Sequence, residues 1–203
     1  MYYIIGLGNP GEEYDNTRHN AGRMAAELFA KENKFADFEY DKMLLARVTQ
    51  GKIGKEKVTV LLPDTFMNKS GAAVGKIKDL KFKIKDKRKT VENLIVIHDE
   101  LDIPLGKIKI SFNRSSGGHK GVESIIRVIK SEAFIRVRIG ISPETPSGKL
   151  KKPQGDEVVG DFILAKFKTG ETLELKKVFK RVGEAIATLI TDGKEKAMSL
   201  YNG

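Results

Sequence analysis

The sequence of 203 residues contains no cysteine. Disulfides, thiolate metal sites and cysteine nucleophiles are thereby excluded, and the composition fits a reducing cytosol. Long apolar runs are missing too, with none near the ~20 residues that a membrane-spanning helix needs. The opening Met1-Tyr2-Tyr3-Ile4-Ile5-Gly6 has no basic region or small-residue cleavage site, and its apolar run is short for a signal peptide. A cytoplasmic protein is expected. No Gly-x-Ser-x-Gly elbow offers a serine nucleophile. Spacings such as His-Glu-x-x-His are also absent, so no metal is expected despite the ligand atoms of His98, Asp99 and His119.

What is present suits one folded domain spanning residues 1–203, with 40% hydrophobic residues and enough length for a proper core. Lysine and arginine total 37 against 27 acidic residues, a formal charge of +10. That excess favours a polyanionic partner, nucleic acid ahead of a membrane surface, although a soluble basic protein would carry it equally well.

Apolar runs Tyr2–Leu7, Met43–Val48, Val58–Leu62, Leu94–Ile97, Ile108–Phe112 and Ile135–Ile141 read as strands, several continuous enough for burial on both faces. Gln50-Gly51-Lys52 predicts a hairpin turn between the second and third. Apolar spacing predicts helices over Asn20–Glu32, Ser70–Phe82 with Ser70 as N-cap, His119–Lys130 and Glu171–Ile190. Strands alternating with helices imply an α/β sheet, mainly parallel, covered on both faces. Such sheets hold ligands at the carboxyl ends of their strands, where Asn9, Asp99 and His119 fall. Lys83–Lys89 reads as a solvated loop, and Pro143–Gly155, with three prolines, as a mobile one.

Gly6-x-Gly8-x-x-Gly11 matches the dinucleotide fingerprint literally, but the helical pattern starts only near Asn20, and Glu12 and Glu13 would repel a pyrophosphate. The glycines serve better as a turn that points the Asn9 amide into a cleft. Asn9, Asn20 and Asn68 could then hold a peptide-like substrate or an oxyanion, although a lone Asn is commonly a turn residue. Of the three histidines, His19 stands apart from His98 and His119 because Arg18 and Asn20 place it in a polar element. An imidazole takes a proton from water when a carboxylate holds its other nitrogen as N–H. Asp99, ending the run Leu94–His98, is the better partner; Glu100 ranks below it, and Asp102 reads as a turn residue before Pro104. Arg114–Gly121 reads as a glycine-rich helix entry, whose amides and Lys120 favour an anion or carbonyl oxygen. A His–Asp base with amide donors beside it is the chemistry of a hydrolase.

These residues resemble one family closely. Gly6–Gly11, Tyr14, Thr17–Gly22, Phe66–Gly71, His98–Asp102, Gly117-Gly118-His119 and Arg136–Ile141 are similar, in order, to the motifs of bacterial peptidyl-tRNA hydrolases. The resemblance implies a single domain with a mixed sheet, and hydrolysis of the ester joining a peptide to the 3′ ribose of tRNA, without a cofactor. It implies His19 as general base, Asp99 as its orienting partner, and Asn9 and Asn68 as substrate-positioning groups. Tyr14, Met67 and His119 would line the peptide cleft. Arg138 matches a phosphate-binding position, Lys109 more loosely. Lys107, Lys149 and Lys152 are added from charge alone, for a tRNA held mainly through phosphates. Lys120 departs from the family, which commonly has Asn there; a lysine can donate to an oxyanion or phosphate but cannot accept. A monomer without membrane attachment is expected, and a non-catalytic RNA-binding relative is the alternative.

Overall fold

The computed structural model describes residues 1–80, 82–85 and 88–202. Its strands are β1 (Tyr2–Gly6), β2 (Glu39–Asp41), β3 (Ala46–Ile53), β4 (Glu56–Pro63), β5 (Phe82–Lys85), β6 (Arg88–Pro104), β7 (Ile108–Phe112) and β8 (Ala133–Ser142). They form one sheet in the order β2-β3-β4-β1-β6-β8-β7, with β5 paired to β6. The four central strands β4, β1, β6 and β8 run parallel. Antiparallel partners complete both sides, so the sheet is mixed and its parallel pairing is confined to the centre.

Side chains alternate across the strands, as the pleat requires. Ile4, Val60, Ile95, Ile97 and Val137 face one core, with Phe29 of α1 (Ala21–Glu32) and Val182 and Ile186 of α5 (Thr172–Thr191). Tyr3, Ile5, Leu61, Leu94 and Val96 face a second core, with Val74 of α2 (Gly71–Val74) and Val122 and Ile125 of α3 (Lys120–Ile129). Both faces of the central strands are therefore dry, which is why those runs are apolar throughout. Helices α4 (Asp156–Leu164) and α6 (Lys194–Tyr201) complete the fold. Asn202, just past α6, bonds Ile110 N at 2.6 Å and Ile110 O at 2.9 Å, occupying the open side of edge strand β7.

Several expectations need correction. The β3–β4 hairpin turns at Gly54-Lys55, where Gly54 has φ +57°, and Gln50-Gly51-Lys52 lies inside β3. Leu45 closes the preceding turn with φ +52°, so β3 begins later than the run from Met43 suggested. The helix expected over Ser70–Phe82 is only α2; Gly75 ends it, and Ile77 and Leu80 reach the core from turns. Ser70 occupies the N-cap position without capping, because its hydroxyl donates to Met67 O at 2.9 Å. The lysine-rich stretch 83–89 is strand at both ends, within β5 and β6, while residues 86 and 87 lie outside the described residues. Pro143–Gly155 is a loop, as expected, in which Thr145 N donates to Lys149 O at 2.8 Å and an isolated bridge joins Glu144 and Leu150.

Candidate active site

Three parallel strands bring their carboxyl-side segments to one edge of the sheet. After β1 the chain runs through Leu7 and Gly8 to Asn9, then to the 3₁₀ turn Arg18–Asn20 that leads into α1. Leu7 N donates to Ile97 O at 3.0 Å and Arg23 N to Leu7 O at 2.8 Å, pinning this segment against β6. Gly22 permits that approach: a Cβ there would run into the carbonyls of Ile97 and Leu7. β4 leads to the 3₁₀ turn Met67–Lys69. β6 carries His98 and Asp99 well inside its length, rather than just beyond its end.

The junction closes on itself through named contacts. Asp99, 3% exposed, takes His19 Nδ1 at 3.0 and 3.1 Å on its two oxygens, and His119 Nε2 at 2.9 Å on Oδ1. His119 is the N-cap of α3, its Nδ1 accepting from Gly121 N at 3.2 Å and Val122 N at 3.3 Å. Gly121 packs against the sulfur of Met67, whose amide donates to Asn9 Oδ1 at 2.8 Å. Asn9 is held by Asn20, the neighbour of His19, which returns the circuit to its start.

Burial pushes the Asp99 carboxyl up, but its contacts with His19 and His119 outweigh it and hold the group well below the usual carboxylate range. Asp99 is thus a buried anion with two donors. The bond to Asp99 uses the Nδ1–H of His19, so in the neutral ring Nε2 carries the lone pair, and no described residue donates to it. His98 Nδ1 donates to Asp99 O at 2.6 Å, while its buried Nε2 has no partner. Burial, then the neighbouring His119, push the His98 imidazole far below its ordinary value.

His19, Asp99 and His119 offer three metal-ligand atoms within 4.8 Å of one another. The helix amides on His119 Nδ1 require the ring proton to sit on Nε2, so that nitrogen is a donor to Asp99 and has no free pair for a cation. The donor set fits hydrogen bonding better than metal ligation.

Other expected residues are dispersed around this junction. Asn9 is 8% exposed, and no described residue accepts from its Nδ2. Met67 is buried, whereas Asn68 and Lys120 are exposed and make no side-chain hydrogen bond with a described residue. Tyr14, half-buried, meets the exposed ring of Phe66 edge-on at 6.3 Å. Arg18, beside His19, lies buried between Phe162 and Phe167 and binds Glu171 with two bonds of 2.8 and 3.0 Å, so its role is to anchor the turn.

Among the cations, Arg138 and Lys109 are direct register partners on β8 and β7 and line a cavity of about 440 Å³. Lys107 is exposed and pairs with Glu144 at 3.3 Å; neither it nor Lys149 lines that cavity. Lys152 pairs with Asp102 at 2.6 Å. Sequence reading missed the cavity's other register pair, Arg136 and Ser111, which are buried with Arg136 Nε and Ser111 Oγ unpartnered. The alternation Arg136-Val137-Arg138 in an apolar strand was the available signal. Arg138 Nε is engaged by Glu100 at 2.9 Å.

A carboxylate-held imidazole with an open nitrogen, at the carboxyl edge of an α/β sheet, is the equipment of a hydrolase that activates water. The comparisons agree. The sequence model of the peptidyl-tRNA hydrolase family matches residues 3–203. A peptidyl-tRNA hydrolase from Thermoanaerobacter sp. (strain X514) is 41% identical over 203 residues, covering 100% of both chains. One from Thermodesulfovibrio yellowstonii is 38% identical over 202 residues, covering 100% of this chain and 99% of the relative. The crystal structure of peptidyl-tRNA hydrolase from Acinetobacter baumannii superposes with a TM-score of 0.83 at 30% identity, covering 100% of this chain and 95% of that one. The chain belongs to the peptidyl-tRNA hydrolase family.

Proposed function

We propose that this protein hydrolyses the ester between a peptide, or an N-blocked amino acid, and the 3′ ribose of tRNA, returning tRNA from peptides released prematurely by ribosomes. The observation that carries the reading is the His19–Asp99 pair, with Nδ1 held at 3.0 Å and Nε2 left free to take a proton. His19 Nε2 accepts a proton from water as the oxygen attacks the ester carbonyl carbon. The imidazolium then returns it to the departing 3′ oxygen, leaving a free ribose hydroxyl and a carboxylic acid that gives its proton to solvent. Asp99 fixes the tautomer and stabilises the imidazolium without itself taking the proton. The ester is activated relative to an amide, so positioned water and oxyanion donors suffice, and no cofactor is required.

Asn9 and Asn68 position the peptide through amide hydrogen bonds, which suits substrates of varied side chains. Met67, Tyr14, His119 and Lys120 surround the peptide end. Arg138 and Lys109 meet tRNA phosphates, joined by Arg136 and Ser111, which line the same cavity. Lys107 and Lys149 add only long-range attraction. We place it in the cytoplasm as a monomer; no helix of the described residues is long and apolar enough to cross a membrane. Release of free tRNA from an N-acetyl-aminoacyl-tRNA, with chelator present, tests the proposal. Rapid cleavage supports it; tight tRNA binding without cleavage favours the non-catalytic RNA-binding alternative.

A further inference from the structure

His119 was expected only to line the substrate cleft, yet its two ring nitrogens are both committed inside the protein. The amides of Gly121 and Val122 address Nδ1 at 3.2 and 3.3 Å. An amide N–H only donates, so Nδ1 is bare, and the neutral ring carries its proton on Nε2. That N–H lies 2.9 Å from Asp99 Oδ1, the oxygen that also takes His19 Nδ1 at 3.0 Å.

The surroundings reinforce this state. His98 packs edge-on against His119 at 4.6 Å between ring centres, from β6. Its Nδ1–H is spent on Asp99 O, so it can neither compete for the carboxylate nor donate to His119. His19 lies 5.0 Å away on the other side, Lys120 follows in the chain with an exposed side chain, and Arg136 acts on His98 from β8. A proton added to His119 Nδ1 would break both cap bonds and put positive charge at the positive end of α3.

We propose that His119 is a positioning residue: α3 fixes its tautomer, and its Nε2–H holds Asp99 in place while drawing off carboxylate charge that would otherwise fall wholly on His19. The inference rests on the reading of His19 as the base. A carboxylate devoted to one imidazole strengthens that base and keeps it protonated to higher pH, where it cannot accept from water. Sharing the carboxylate divides its charge between two imidazoles, so less of it bears on His19.

Two substitutions separate the cap from the carboxylate bond. His119→Asn keeps an oxygen where Nδ1 stands and so keeps the cap, but falls short of Asp99. It should preserve the cap of α3 while the acid limb of kcat/KM moves up by ~1 pH unit, the scale of one hydrogen bond to a charged group. His119→Gln places an N–H where Nε2 stands and loses the cap. It should return the acid limb to its wild-type position and lower the melting temperature by ~2–4 °C. Imidazole ¹⁵N spectra of the wild type should show Nδ1 of His119 unprotonated. An unmoved acid limb in His119→Asn, or an Nδ1–H tautomer, overturns the proposal. His19→Ala in the same assay separates the two failures: wild-type kcat/KM there removes the base itself, whereas lost activity with an unmoved His119→Asn limb removes only the role of His119.

Discussion

The side chain of Asn20 grips the backbone of Asn9 from both sides, accepting from its N–H at 2.8 Å and donating to its carbonyl at 3.0 Å. Both residues are buried, and Asn20 adjoins His19, so one amide ties the loop after β1 to the turn that bears the base. The Asn9 side chain is thereby free to accept from Met67 N at 2.8 Å, which joins a third segment.

Asn20→Asp should break this link with almost no change of shape. It replaces the donor with an oxygen facing the Asn9 carbonyl, at a cost of ~1–3 kcal/mol by denaturant unfolding. Activity should fall together with stability, because Asn9 and His19 lose their common reference. An unchanged midpoint would show that the grip contributes nothing.

His98 makes the fold sensitive to acid. Its unfolded ring takes a proton near pH 6.5, but the buried ring does so only at much lower pH, because of desolvation first and His119 second. Below ~6.5 the unfolded state therefore binds one more proton, and stability declines as pH falls, by up to ~1.4 kcal/mol per unit from this group. His98→Asn can still donate to Asp99 O but does not titrate. Denaturant midpoints at pH 5, 6 and 7 should show a shallower acid slope in the variant, and parallel slopes would contradict the assignment.

Gly22→Ala should be severe, since the added methyl meets backbone carbonyls of Ile97 and Leu7 that cannot swing aside. A loss of ~1–3 kcal/mol or more is expected, with α1 displaced from β6. Thermal melting checks this directly.

Salt dependence reports the phosphate contacts. KM for tRNA substrates should rise steeply with salt, while hydrolysis of a small N-acyl ester should barely respond. Arg138→Gln and Arg136→Met should each reduce the slope of log KM against log salt by about 1. Lys107→Gln and Lys149→Gln should reduce it less, as those lysines lie off the cavity that Arg138 lines.

The α/β alternation and the central strands were legible because β1, β4, β6 and β8 are buried on both faces, which forces continuous apolar runs; the short outer strands β2 and β5 were not. The pairing of His19 with Asp99 was legible because Asp99 follows such a run, while Arg18 and Asn20 set His19 in a polar element. Helix α4 was hidden because none of its residues is buried, so nothing selects a clear apolar face. The helix expected over 70–82 failed because burial of Ile77 and Leu80 does not require helical backbone, and glycines flank the single turn that forms. The bond between His119 and Asp99 joins residues 20 apart on different elements, and spacing alone gave no sign of it. Arg136 likewise became visible only when the fold left its guanidinium buried without a partner for Nε.

The central claim is that His19, held by Asp99, activates the attacking water, and single-turnover cleavage of N-acetyl-aminoacyl-tRNA by His19→Ala tests it most directly. The account predicts a rate ~10²–10⁴-fold below wild type at saturating enzyme, with substrate affinity retained. Cleavage at the wild-type rate would contradict it.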